Sequence, residues 1–213
     1  MNRSARSLWT KKISEGGADK LQLGSTGPLK GAKSAQHLGG GHKSPHMHKW
    51  GGEQICGKVL GIDPSLRGTG LAVIESGPDG SLRYIDSITV RNTPKMTMPQ
   101  CLARIFLETQ LMIRRHKPIC AAIEQCVYVQ NFKTALILGS SRGAAIAALA
   151  GEGLEVFDYP PLRIKQAVIG YGRASKEQVA KSVAALVGNA GILPSDEADA
   201  AGAAIAHIFT HKS

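Results

Sequence analysis

Apolar positions are distributed unevenly along the chain. Residues 1–56 show neither a two-residue nor a 3.6-residue apolar period, and are crowded with Gly, Ser, Lys and His, including Gly39 to Gly41. Such a composition buries too little surface to offset the entropy of ordering the backbone, which predicts a disordered arm. The pattern changes at Lys58. Residues 58–63 (KVLGID) form a short apolar run ending in a carboxylate, the pattern of a buried central strand. Residues 70–75 (GLAVIE) predict a second strand, Gly77 to Gly80 (GPDG) a hairpin turn, and Leu82 to Val90 a third, more exposed alternating strand. Together they predict an antiparallel meander.

Met98 to His116 has helical periodicity, with Leu102, Ile105, Phe106, Leu111 or Met112, and Ile113 on one side. Ile119 to Glu124 is a fourth apolar run that again ends in an acid. Asn131 is placed to cap an Ala- and Leu-rich helix reaching Gly151, and Leu154 to Tyr159 predicts a fifth strand stopped by Pro160 and Pro161. Ser175 to Gln178 (SKEQ) has the form of a capping box. Ser195 is expected to cap a final helix to about Phe209. The predicted order β-β-β-α-β-α-β-α-α describes an α/β domain over 57–213, a mixed five-stranded sheet flanked by helices.

Charge sharpens this picture. The net charge is +10, and a polyanionic partner, nucleic acid or an anionic membrane, fits such a balance. Residues 1–56 hold nine Lys/Arg against three Asp/Glu, a net of +6, which leaves +4 for the remainder. That arm suits weak, salt-sensitive phosphate binding; an unselected extension or an organelle presequence fits it equally, with Glu15 and Asp19 counting mildly against a presequence. No uninterrupted run of about 18 apolar residues predicts a membrane span. An apolar signal core near Met1 is also absent. Cys56, Cys101, Cys120 and Cys126 have no paired spacing and predict reduced thiols of a cytoplasmic protein. His37, His42, His46 and His48 match no zinc-finger spacing, so adventitious metal binding is the expected reading.

The acids carry the candidate chemistry. Asp63 closes the first predicted strand and Glu124 the fourth, while Asp196 and Asp199 lie three apart on the final helix and so face one way. Glu197, turned about 100° per residue from each neighbour, is expected to face solvent. If the first and fourth strands are parallel neighbours, Asp63 and Glu124 sit side by side at one sheet edge. Converging carboxylates raise each other's pKa unless cations compensate, and Mg²⁺ suits a few carboxylates plus water and phosphate oxygens. Two such ions roughly 4 Å apart, with Mn²⁺ as a substitute, can activate water against a phosphodiester. Each acid alone has an ordinary reading, as a loop residue or a complement to the helix dipole; their co-occurrence in this order favours the metal.

Through Leu60 to Gly70 (LGIDPSLRGTG), Ala122 to Gln125 (AIEQ), Asn131 with Leu136 to Gly143 (LILGSSRG), Lys165 to Gly170 (KQAVIG) and Asp196 to His207 (DEADAAGAAIAH), residues 58 to about 210 bear a resemblance to the RuvC family of Holliday-junction resolvases. It implies an RNase H-like (retroviral-integrase-like) fold and a homodimer that nicks opposed strands of a four-way DNA junction, in recombination and repair. It further implies a branch-migration motor as a partner. The catalytic, metal-binding acids fall on Asp63, Glu124, Asp196 and Asp199, and two active-site lysines on Lys165 and Lys176. DNA contacts are expected at Lys165, Lys176, Tyr128, Asn131, Arg142 and Arg67. The chain departs from the family where Val127 takes the place of its aromatic wedge, with Tyr128 adjacent as a stacking substitute, and where Ser65 stands for the Gly of many relatives.

Three other readings share features of the sequence. A nuclease of the pre-ribosomal-RNA-processing type has a similar Gly-Ile-Asp opening but does not lead one to expect the Arg142–Gly143 or Lys165–Gln166 segments. A non-catalytic junction binder would not require four acids. A sugar-kinase-like or actin-like ATPase needs a second Gly-rich hairpin and a longer chain.

Overall fold

The computed structural model describes residues 55–126, 131–188, 191 and 193–211. Residues 1–54 of the predicted basic arm and Tyr128 lie outside them, while Ile55, near the arm's predicted end, is buried in the core rather than disordered. Five strands form one sheet: β1 (Gly57–Asp63), β2 (Gly68–Ser76), β3 (Leu82–Arg91), β4 (Cys120–Glu124) and β5 (Val156–Tyr159), in the order β3-β2-β1-β4-β5. β1, β2 and β3 pair as the predicted meander, while β4 runs parallel to both β1 and β5. The hairpin turns through Gly80 at φ 80°, in the left-handed region that glycine enters without strain.

Five helices cover the two faces: α1 (Met98–His116), α2 (Phe132–Gly151), α3 (Pro161–Ile169), α4 (Lys176–Leu186) and α5 (Ser195–Thr210). α1 and α2 pack on one face over Leu60, Ile62, Leu71, Val73, Ala121 and Ile123. On α1 it is Met112 that is buried, whereas Leu111 is exposed. α3, α4 and α5 cover the other face over Val59, Ala72, Ile74, Cys120 and Ala122. A strand alternates faces with period two. Asp63, in step with Val59, and Glu124, in step with Cys120 and Ala122, therefore fall on the α5 side.

Three local outcomes differ from the sequence expectation. α3 was not anticipated as a helix, yet Pro161 occupies its first turn, where a missing N–H is harmless and the fixed φ favours helix entry. Ser195 is the first helical residue of α5 rather than its cap; Pro194 holds the cap position and supplies no side-chain hydrogen bond. Finally, α2 is the one helix among the described residues that is long and apolar enough to cross a membrane. Counting only uninterrupted apolar residues concealed this, because Lys133 and Arg142 interrupt a segment that is apolar on average. Its Ser141, Ala145, Ala148 and Leu149 are buried.

α5 lies unusually close to the sheet. A β-carbon on Gly61 would fall 1.9 Å from the Ala200 carbonyl oxygen, and one on Gly70 would fall 1.9 Å from that of Asp196. The alanines at 200, 201, 203 and 204, all fully buried, complete this contact from the helix side. At the far end of α5 the buried His207 holds helix to sheet, with Tyr159 Oη at 2.8 Å from Nδ1 and Cys120 Sγ at 3.2 Å from Nε2. Burial lowers the His207 pKa to about 4, so the ring is neutral.

Candidate active site

Strand register assembles the site. Ile62 pairs with Ile123 across the parallel β1–β4 ladder, so Asp63 and Glu124 are the next pair along. Asp63 also pairs with Gly70 of β2, and Gly70 with Thr89 of β3. One row across the sheet therefore reads Glu124, Asp63, Gly70, Thr89. The first turn of α5 lies over that row. Asp196 rests its backbone on Gly70, and its carboxylate oxygen would be 2.8 Å from a β-carbon on Gly68. Asp199, one turn on, lines an open cleft of about 220 Å³ with Asp63, Glu124, Pro161, Ile164, Lys165, Lys176 and Val179.

The electrostatics record this convergence. The Asp63 pKa is raised to about 6, first by burial and then by the charges of Asp199 and Asp196, while Lys176 opposes the rise. Glu124 is raised to about 7, again first by burial, then by Asp63 and Asp199, with Lys176 and Lys165 opposing. Lys176 donates from Nζ to Asp199 Oδ2 at 2.9 Å, and its pKa is raised mainly by that bond. Three carboxylates and two ammonium groups thus line one cleft, and a fourth carboxylate, Asp196, is close enough for Asp63 to feel its charge. Such an oxygen-only donor set, crowded enough to hold protons near neutrality, fits a hard divalent cation.

A stability consequence follows for the metal-free protein. Both carboxyls bind protons more tightly folded than unfolded, so their contribution is complete below about pH 4. It is lost as pH rises through about 6 and 7. Asp63→Asn removes one of these liabilities. Its stability relative to wild type in EDTA should rise by about 2 kcal/mol between pH 4 and 8. Denaturant melts at the two pH values check this; an unchanging difference would mean that neither burial nor its acidic neighbours raise the Asp63 pKa.

The remaining expected positions stand apart from the cleft lining. Asn131 accepts from the Lys133 and Thr134 backbone N–H groups as the cap of α2. Arg67 donates to the Thr93 and Met96 carbonyl oxygens, and Arg142 pairs with Asp158 of β5. Glu197 corrects its expectation outright. Rather than facing solvent, it accepts hydrogen bonds from Ser87 Oγ and, at 3.0 Å, Thr89 Oγ1. Glu197 does turn away from Asp196 and Asp199, but β3 extends alongside the helix start and meets the side chain there. Residues that sequence reasoning missed include Cys126, whose thiol pKa burial raises and which feels Arg142, Glu124 and Asp63. Its position two residues past Glu124 was the available signal.

Comparison with known proteins decides the family. Residues 59–207 match the family model for crossover junction endodeoxyribonuclease RuvC. The chain belongs to the RuvC family. The RuvC of Acinetobacter baumannii is 48% identical over 157 residues, covering 73% of this chain and 84% of that protein. That of Cupriavidus metallidurans is 44% identical over 150 residues, covering 70% and 82%. Among solved structures, Thermus thermophilus RuvC in complex with Holliday junction substrate superposes with a TM-score of 0.67 at 30% identity, covering 71% of this chain and 93% of that one. The RuvC-type, RNase H-like mixed sheet expected from the sequence is the fold observed.

Proposed function

We propose that this RuvC-family chain resolves four-way DNA junctions by divalent-metal-dependent phosphodiester hydrolysis, acting as a homodimer on two opposed strands. The observation that carries the reading is the row placing Glu124 beside Asp63 beneath Asp199, with Lys165 and Lys176 in the same cleft. Asp63, Glu124, Asp196 and Asp199 would hold Mg²⁺, two ions in the fullest form, with Mn²⁺ as a substitute. When bound, such ions activate water and stabilise the charge of the leaving oxygen.

The protein's own groups do the rest. Two lysines flank the acids, and each can hold a phosphate oxygen and offset charge that grows during bond breakage. Lys176 already contacts Asp199, so it orients that carboxylate as well as neutralising it. Exposed cations without an ion-pair partner among the described residues, Arg163 and Arg173, extend this basic surface along α3 and the turn before α4. Tyr171 on that turn is exposed, and its hydroxyl accepts from Gln178 Nε2 at 3.2 Å. The strand leaving the cleft has a positively charged track to follow. The homodimer reading is supported by α2, which leaves Phe132 and Leu136 exposed on an apolar helix. Tyr128 as a stacking residue, the basic arm as a DNA tether, a branch-migration motor as partner and a cytoplasmic location belong to the same proposal.

The test is purified full-length protein on a mobile four-way junction, with and without Mg²⁺, mapping the cut positions. Paired, symmetric nicks that need the metal are expected. Preferential cutting of structured RNA, or tight junction binding without nicks under any metal, would overturn the assignment.

A further inference from the structure

The first turn of α5 presents a mechanical problem. It seats Asp196 on Gly70, next to Asp63 in the row, and places Asp199 in the cleft with Asp63 and Glu124, so like charges are brought together. A helix start held against such repulsion needs a restraint, because its first N–H groups lack helical partners and the turn frays most readily. The usual restraint, a capping side chain, is missing: the cap residue is Pro194.

We propose that Glu197 is a positioning residue that fastens this turn to β3, and so fixes Asp196 and Asp199 in the geometry that binds metal. Its place is suited to that task. Glu197 lies between the two aspartates in sequence but projects along the sheet instead of into the cleft. Both of its oxygens are engaged, Oε2 by Ser87 Oγ and Oε1 by Thr89 Oγ1. Ser87 and Thr89 sit two apart on β3 and so share the face toward α5. Thr89 lies in the same row as Gly70 and Asp63, and Tyr84 Oη, 2.9 Å from Ser87 Oγ, steadies the second hydroxyl. The restraint thus runs from the helix start to the row that holds the acids. With both oxygens occupied by hydroxyls, Glu197 is not itself placed as a ligand.

The inference rests on the metal-nuclease reading above but is tested separately from it. Mn²⁺ binding to the full-length protein would be followed by electron paramagnetic resonance without DNA, alongside junction binding in EDTA and cleavage as a function of Mg²⁺. Glu197→Ala should weaken Mn²⁺ binding about tenfold, the usual scale for a group that orients metal ligands. The Mg²⁺ needed for half-maximal cutting should rise in parallel, while junction affinity in EDTA stays within about twofold of wild type. Glu197→Gln, which can accept from Thr89 through Oε1 and donate to Ser87 through Nε2, should restore most of the affinity. Ser87→Ala with Thr89→Val should reproduce the Glu197→Ala loss, and combining all three should add nothing.

Wild-type Mn²⁺ affinity in Glu197→Ala overturns the proposal. So does a Gln variant as weak as Ala, which would make the charge itself the active element, or an Ala/Val pair without effect. If Glu197→Ala does not fold, the Ser87/Thr89 pair decides. Failure of the wild-type protein to nick junctions would instead refute the functional reading, whatever the Mn²⁺ titrations give.

Discussion

Asp63→Asn should lower the rate of junction nicking by about three orders of magnitude while leaving junction binding in EDTA within a few-fold of wild type. Asp63 stands at the centre of the row, with Glu124 on one side and Gly70 on the other, under the turn that carries Asp196 and Asp199. Asparagine keeps the shape but removes the charge that would attract a divalent ion, and loss of one well-placed electrostatic group can cost about 4 kcal/mol of barrier. On the proposed reading, binding would draw on other groups, Lys165, Lys176, Arg163 and Arg173, whose phosphate contacts would not require the acid. The same substitution lifts repulsion on Glu124, so the variant should be more stable than wild type in metal-free buffer near neutral pH. An inactive protein that is more stable and still binds DNA is the signature of a removed catalytic acid. Single-turnover cleavage and gel-shift titration check the pair; nicking at the wild-type rate would remove Asp63 from the mechanism.

Much of this architecture was legible in the sequence because it is written in short-range pattern. The apolar runs ending at Asp63 and Glu124, the Gly77–Gly80 turn and the capping box at Ser175 each carry their own local signal, and each element formed where expected. The approach of the two strand-end acids followed from one topological assumption, a parallel crossover. What stayed hidden depends on contacts between distant segments. Nothing near Glu197 in the chain announces Ser87 and Thr89, so its direction could be computed while its destination could not. α3 was obscured by Pro160 and Pro161, which end a strand and begin a helix with the same residues. The Ala-rich pattern of α5 reads in isolation as a plain buried helix, and only the sheet beneath it explains why the alanines must be small.

That close seating makes Gly70→Ala a severely damaging change, a single methyl placed against the backbone of Asp196. The new β-carbon would lie 1.9 Å from the Asp196 carbonyl oxygen and 2.5 Å from its carbonyl carbon. Both are backbone atoms, so no rotamer change relieves the clash; the start of α5 must rise from the sheet by about an ångström or more. Overpacking of this kind typically costs about 1–3 kcal/mol, and backbone contact on a packed strand belongs at the upper end. Its functional consequence should exceed its structural one. The residue pushed outward is Asp196 itself, with Glu197 and Asp199 following on the same turn, and a displacement near 1 Å at a reacting centre can cost about a hundredfold in rate. The expected result is a protein that melts earlier and, at temperatures where it remains folded, cuts junctions at least about a hundredfold more slowly. Gly151→Ala is the matched control, because a β-carbon there meets nothing within 4 Å. It should melt no earlier than wild type and retain full activity. Normal cutting by folded Gly70→Ala would show that the acids of α5 tolerate a lifted helix start, and that their hold on the reaction is looser than the seating of α5 on β2 implies.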